Sequence, residues 1–297
     1  MTTNSSRGFT LIELVMVIVI GSIMAASLAV FFRPAVDSYF SSVRRAKLTS
    51  LADGALRLMS REIRSAVSNS IRTPGNQCFE LLPTSAGGRY RMASDTVNDS
   101  PAPLPCTPST NCSAPLDITQ PVTQFDVLST MAATPAVGDW VVIDNQNTND
   151  VYAGSDRAAI TAITTPTASA GRYRIAIAST QFPAGYSGGR FVVVPNNGGN
   201  PAVVYVCSAA DGTVDASGSG KGTLYRVNRA FNATYPASCP ATTGGAILAT
   251  SVKTCNFIYN ANQGATQQNG FLWMQLEIAQ SGESVALSYG AHVENAP

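Results

Sequence analysis

One carboxylate in this chain stands where a carboxylate is costly. From Phe9 to Phe32 the only ionisable side chain is Glu13. A lone charge in hydrocarbon costs on the order of 2 to 3.5 kcal/mol unless it is paired, so Glu13 implies a partner. The other groups that could do chemistry are six cysteines, one histidine and an oxygen-rich run. Cys78, Cys106, Cys112, Cys207, Cys239 and Cys255 lack the paired CxxC spacing of a zinc site, and their even number fits disulfides in an oxidising compartment. His292 has no Gly-x-Ser-x-Gly elbow or phosphate loop to work with, and it falls in an expected tail. Asp144 to Asp150 offers oxygen ligands without the glycine and closing glutamate of an EF-hand loop, so a turn is the simpler reading. No catalytic residue, metal ligand or cofactor is expected.

These groups need elements to hold them. As a helix, residues 9–32 rise roughly 36 Å, enough to span a bilayer. No small-residue cleavage site follows Phe32, so the segment is expected to stay in the product. Gly21, Ser22, Ala25 and Ala26 are small enough for close helix approach, beside an apolar surface that includes Leu11, Leu14, Val17, Ile18 and Val19. Val36, Phe40, Val43, Leu51, Ala55, Leu58, Met59, Ile63, Ala66 and Val67 recur at three-and-four spacing, which predicts an amphipathic continuation over 33–72. Helix is expected from Phe9 to about Ser70, with Pro34 removing one backbone bond and Thr73-Pro74-Gly75 closing it.

Beyond Gly75 short alternating runs replace that spacing, divided by Gly, Pro, Asn and Asp. They predict an antiparallel, β-rich head over 73–297, with strands near 77–82, 88–92, 124–128, 139–144, 158–163, 172–178, 190–194, 202–207, 223–227, 255–259, 271–278 and 284–289. The stretches 95–121 and 211–222 read as surface loops. A short repeat, Gly87-Gly88-Arg89-Tyr90-Arg91, Gly171-Arg172-Tyr173-Arg174 and Gly188-Gly189-Arg190-Phe191, predicts glycine turns entering strands with the arginine outward and the aromatic inward. Among the cysteines, Cys106 and Cys112 could staple a loop and Cys207 and Cys255 could join two strands, leaving Cys78 to Cys239; Cys207 with Cys239 remains a rival. A net charge of +1 gives no electrostatic reason to expect nucleic acid.

The leader 1–8, with Arg7 as its charge, followed by Gly8-Phe9 and then Glu13, resembles the junction of type IV prepilins and of the pseudopilins of type II secretion. The resemblance implies cleavage by prepilin peptidase after Gly8, N-methylation of Phe9, and a subunit-pairing role for Glu13 opposite the Phe9 amine of a neighbour. It implies an α+β pilin-like fold: a transmembrane helix over 9–32, extended by an amphipathic half, on a β-rich head. Gly87 to Arg91, Gly138-Asp139-Trp140-Val141-Val142 with Asn145, Ser187 to Val194 leading into Val204-Tyr205-Val206-Cys207, Cys255 to Tyr259 and His292 to Pro297 together look like the MshO family of minor pilins from mannose-sensitive haemagglutinin-type pili. That likeness implies partners among minor and major pilins and inner-membrane lipid. The place implied is the bacterial inner membrane, single-pass with the head in the periplasm, and later an extracellular pilus. Arg33, Arg44, Arg45 and Lys47 lie on the far side of the span, so leader recognition rather than flanking charge must set this orientation.

Overall fold

The computed structural model describes residues 8–99, 112–185, 188–263 and 269–294. Its first element, helix α1 (Leu11–Arg64), runs unbroken through Pro34. Thr10 starts it with a capping box: the Glu13 amide donates to Thr10 Oγ1 (3.4 Å), and the Thr10 amide donates to Glu13 Oε2 (3.4 Å). The Thr10 amide thereby gains a partner, and the Glu13 amide, which also donates to the Thr10 carbonyl (3.1 Å), gains a second acceptor.

The amphipathic face packs later than its spacing predicts. Val36, Phe40 and Val43 are exposed, and burial begins at Leu48, continuing through Ala52, Ala55, Leu56, Met59 and Ile63. The helix also ends earlier, at Arg64 rather than near Ser70. Past that point the backbone is claimed by strand pairing: Val67 N–H donates to the Leu82 carbonyl, Thr84 N–H donates to the Ser65 carbonyl, and Ala66 bridges Pro83. Asn69 then adopts a left-handed conformation (φ 58°) that turns the chain. Thr73-Pro74-Gly75, expected as a loop, lies within strand β1 (Arg72–Gly75), which pairs with β2 (Cys78–Leu81). A proline is tolerated there because β1 is an edge strand.

The strands that follow are β3 (Ala86–Arg89), β4 (Val122–Val127) and β5 (Trp140–Val142), a one-turn helix α2 (Asp150–Ala153), and then β6 (Arg157–Thr164), β7 (Tyr173–Thr180) and β8 (Arg190–Val194). The chain continues as β9 (Ala202–Ser208), β10 (Gly222–Arg229), β11 (Ala246–Gln263), β12 (Asn269–Gln280) and β13 (Glu283–Glu294). Two sheets result. Seven strands, in the order β1-β2-β9-β10-β11-β12-β13, form the surface on which α1 lies. Their inward residues, among them Phe79, Tyr205, Leu224, Phe257, Met274 and Leu276, meet the buried face of the helix.

The second sheet, β3-β8-β5-β6-β7-β4, is inserted between β2 and β9. Its ends join: Tyr90 bridges Val127, Arg91 N–H donates to the Asp126 carbonyl, and Leu128 N–H donates to the Arg89 carbonyl. The sheet is therefore a closed six-stranded barrel, an arrangement that removes both edges. Phe125, Val127, Val141, Ile160, Ile175, Phe191 and Val193 fill its interior. The glycines of the short repeat serve this closure. A Cβ on Gly171 would stand 2.8 Å from the Val127 carbonyl oxygen, and one on Gly88 would stand 2.7 Å from Ser129 Oγ.

Candidate functional site

Phe9 and Glu13 stand at the free end of α1, far along the helix from the head. Phe9 is 80% exposed, and every residue from Gly8 to Phe40 is exposed. A helix whose most apolar 18-residue window is wholly unburied is stable there only against lipid or other helices, because in water that surface carries the full hydrophobic cost. Glu13 Oε2 accepts from both the amide and the hydroxyl of Thr10. Thr10 is the residue that sequence reasoning passed over. Its signal was present, since Thr-x-x-Glu ahead of an apolar run is a capping box.

The cysteines occupy different places. Cys207 in β9 is bonded to Cys255 in β11, across the two strands that flank β10. Cys78 in β2 is bonded to Cys239 in the connection between β10 and β11. Cys112 is disulfide-bonded, and Cys106 lies outside the described residues.

The polar run at 144–150 has a structural task. Asn145 Nδ2 donates to the Ser68 carbonyl, Asn145 Oδ1 accepts from the Val151 amide, and Asn149 Oδ1 accepts from Arg72. The loop thus ties the barrel to the end of α1. Beside it Val67, Leu82, Val142, Val151, Tyr152 and Val194 form an apolar joint. Arg72 is fully buried in that joint, with its guanidinium 3.4 Å from the centroid of the Tyr152 ring and Glu80 at 3.7 Å. Burial lowers the Arg72 pKa and raises that of Glu80, while the opposite charges, including Arg229 on Glu80, act against both shifts. Asp156 is also fully buried, with no ion pair among the described residues, and burial together with Asp150 raises its pKa to about 7.

His292 does not sit in a tail. It lies in β13 opposite Phe271, ring centroids 4.8 Å apart, on the exposed face. Among the described residues no three His, Cys, Asp or Glu side chains converge as metal ligands.

Residues 3–29 match the family model described as the prokaryotic N-terminal methylation motif. The motif supports a type IV pilin or pseudopilin, a membrane-anchored structural subunit that prepilin peptidase processes and that assembles with other pilins. Neither a curated protein nor a solved structure matches the chain.

Proposed function

We propose that this chain is a minor pilin of a type IV pilus of the mannose-sensitive haemagglutinin type, a structural subunit that helps to prime assembly. Prepilin peptidase cuts after Gly8, Phe9 becomes the N-methylated terminus, and the head enters the periplasm before the subunit is drawn into the filament. The observation that carries this reading is the fully exposed apolar half of α1, which a filament buries helix against helix. The inserted barrel favours a minor role. Helices in a filament core pack with axes roughly 8–10 Å apart, and a head widened by a second β unit crowds neighbours if every subunit carries one.

Glu13 places the subunit further. In a packed filament the Phe9 amine leaves water, and a carboxylate on an adjacent subunit can neutralise it. A helix at the extreme tip has no subunit beyond it to pair with. Because this chain carries the acid, we place it beneath another minor pilin, at or near the tip.

Mass spectrometry of the protein from cells with active peptidase is expected to show a chain beginning at methylated Phe9, with Gly8→Ala slowing or blocking the cut. An unprocessed chain sinks the reading. A second reading is a minor pseudopilin of type II secretion, of the J type, which shares the β-rich head. Neighbouring genes for a pilus assembly ATPase and sibling pilins, or for secretion components, separate the two. A pilus-borne adhesive head is compatible with either.

A further inference from the structure

The short glycine-arginine-aromatic repeat is accounted for only in part by barrel closure. Its glycines allow the close approach and its aromatics face inward: Tyr90 and Phe191 are buried, and Tyr173 packs against the same interior. Of its arginines, Arg89, Arg172 and Arg190 are exposed, Arg91 is half-buried and Arg174 is buried. Arg89 on β3 is directly opposite Arg190 on β8, so their side chains share one face of the barrel. The chain at Arg89 also meets β4, where Leu128 N–H donates to the Arg89 carbonyl, and Arg172 N–H donates to the neighbouring Val127 carbonyl. With neighbouring strands about 4.8 Å apart, Arg190 and Arg89 are adjacent, and Arg172 lies two strands from Arg89 with the half-exposed Leu128 between them.

The same outer face carries Arg91 and Arg174, and these two are neutralised. Arg174 holds buried Asp126 at 2.7 Å, and Arg91 has Asp95 at 3.8 Å. Arg89, Arg172 and Arg190 are exposed and form no ion pair among the described residues. Like charges directly opposite one another destabilise a sheet. A row of three unmatched guanidiniums is thus a cost to folding that an external anion would relieve.

We infer that this outer row is a docking surface for an anionic polysaccharide, one whose sugars carry carboxylate or sulfate groups. The guanidinium fork matches such groups with two parallel hydrogen bonds. The three exposed side chains line up across neighbouring strands, which suits an extended chain touching several charges in turn. Leu128 offers an apolar contact for the C–H face of a sugar ring. Nucleic acid fits less well, because the aromatic rings of the repeat point into the barrel and give bases nothing to stack on. The inference holds for a pilus or a pseudopilus subunit alike.

The test uses the full chain in detergent, with heparin and polygalacturonate as probes, neutral dextran as control and duplex DNA as competitor. Wild type is expected to bind both polyanions in a salt-dependent manner and to ignore dextran. The R89Q/R172Q/R190Q variant should bind roughly tenfold more weakly, at about threefold or less per exposed contact. R61Q/R64Q/K221Q, with the same loss of charge elsewhere, should bind as wild type does. Thermal midpoints of the row variant should be unchanged or higher. If that triple variant fails to fold, R190Q alone should lose about twofold. Failure of wild type to bind either polyanion at low salt, equal loss in both triple variants, or tighter binding to duplex DNA than to either polysaccharide would overturn the inference.

Discussion

At the scale of single residues, Glu13 has two partners to choose between. In the isolated chain its carboxylate caps its own helix through Thr10; in a filament it would be asked to meet a neighbour's amine. Capping is worth about 1 kcal/mol, less than leaving an amine unpaired in a dry core, so the exchange is downhill on assembly. Glu13→Leu is accordingly expected to leave membrane insertion intact or improved while the pilus-associated fraction falls. Equal incorporation of wild type and variant, measured on sheared pili against membranes, would show that the pairing does not govern assembly. Asp156 makes a separate prediction, in pH. Its folded pKa of about 7 lies above the ordinary value of 3.8, so the folded state holds a proton that the unfolded state has released. Stability from this group is complete below pH 4 and is lost as pH rises from 4 to 7. Asp156→Asn should flatten that decline and stabilise the protein at neutral pH by an amount on the order of a few kcal/mol, read from urea midpoints at pH 4 and pH 7.5.

At the scale of elements, the two resolved disulfides constrain the seven-stranded sheet over different lengths of chain. Cys78–Cys239 spans 161 residues and Cys207–Cys255 spans 48. Loop-closure entropy predicts that removing the longer link costs about 1 kcal/mol more than removing the shorter one. Urea unfolding of Cys78→Ala/Cys239→Ala against Cys207→Ala/Cys255→Ala checks the order, and a reversed order would mean that local packing, not chain entropy, dominates. The helix is held from both sides of its packed half. Tyr205 Oη donates to Glu62 (2.7 Å), Arg226 pairs with the same carboxylate, and Arg45 reaches Glu283 (2.6 Å).

For the molecule as a whole, the barrel interior and the helix–sheet core are two separate clusters of buried residues with an apolar joint between them. A lesion confined to one should therefore spare the other. Gly171→Val puts a side chain against the Val127 carbonyl where β7 meets β4. Amides of β4 and β7 should lose hydrogen-exchange protection while those of β11 and β12 keep theirs. Uniform loss across both would show that the two cores unfold as one.

Much of this was written locally. The apolar run, its single acid and the three-and-four spacing specify a long helix because each signal lies within a few turns of the next, and alternating runs specify strands for the same reason. Those runs overlap β2 through β13, and α1 does lie on an antiparallel β-rich head. What needed the tertiary structure is non-local. Strand β1 was hidden because Thr73-Pro74-Gly75 reads as a break until β2 pairs with it. Residues 246–254 carry no clean alternation, yet they extend β11 because β10 supplies a partner, Tyr225 opposite Ile247. The helix stops at Arg64 because the segment 82–84, just past β2, captures the next backbone groups. Exposure of Val36, Phe40 and Val43 was equally unreadable, since periodicity shows which residues share a face and not whether anything covers it. The repeat at Arg89, Arg172 and Arg190 spelled out turns and outward arginines; only closure of the sheet, across a gap of some eighty residues from Gly88 to Gly171, brought those charges onto one surface.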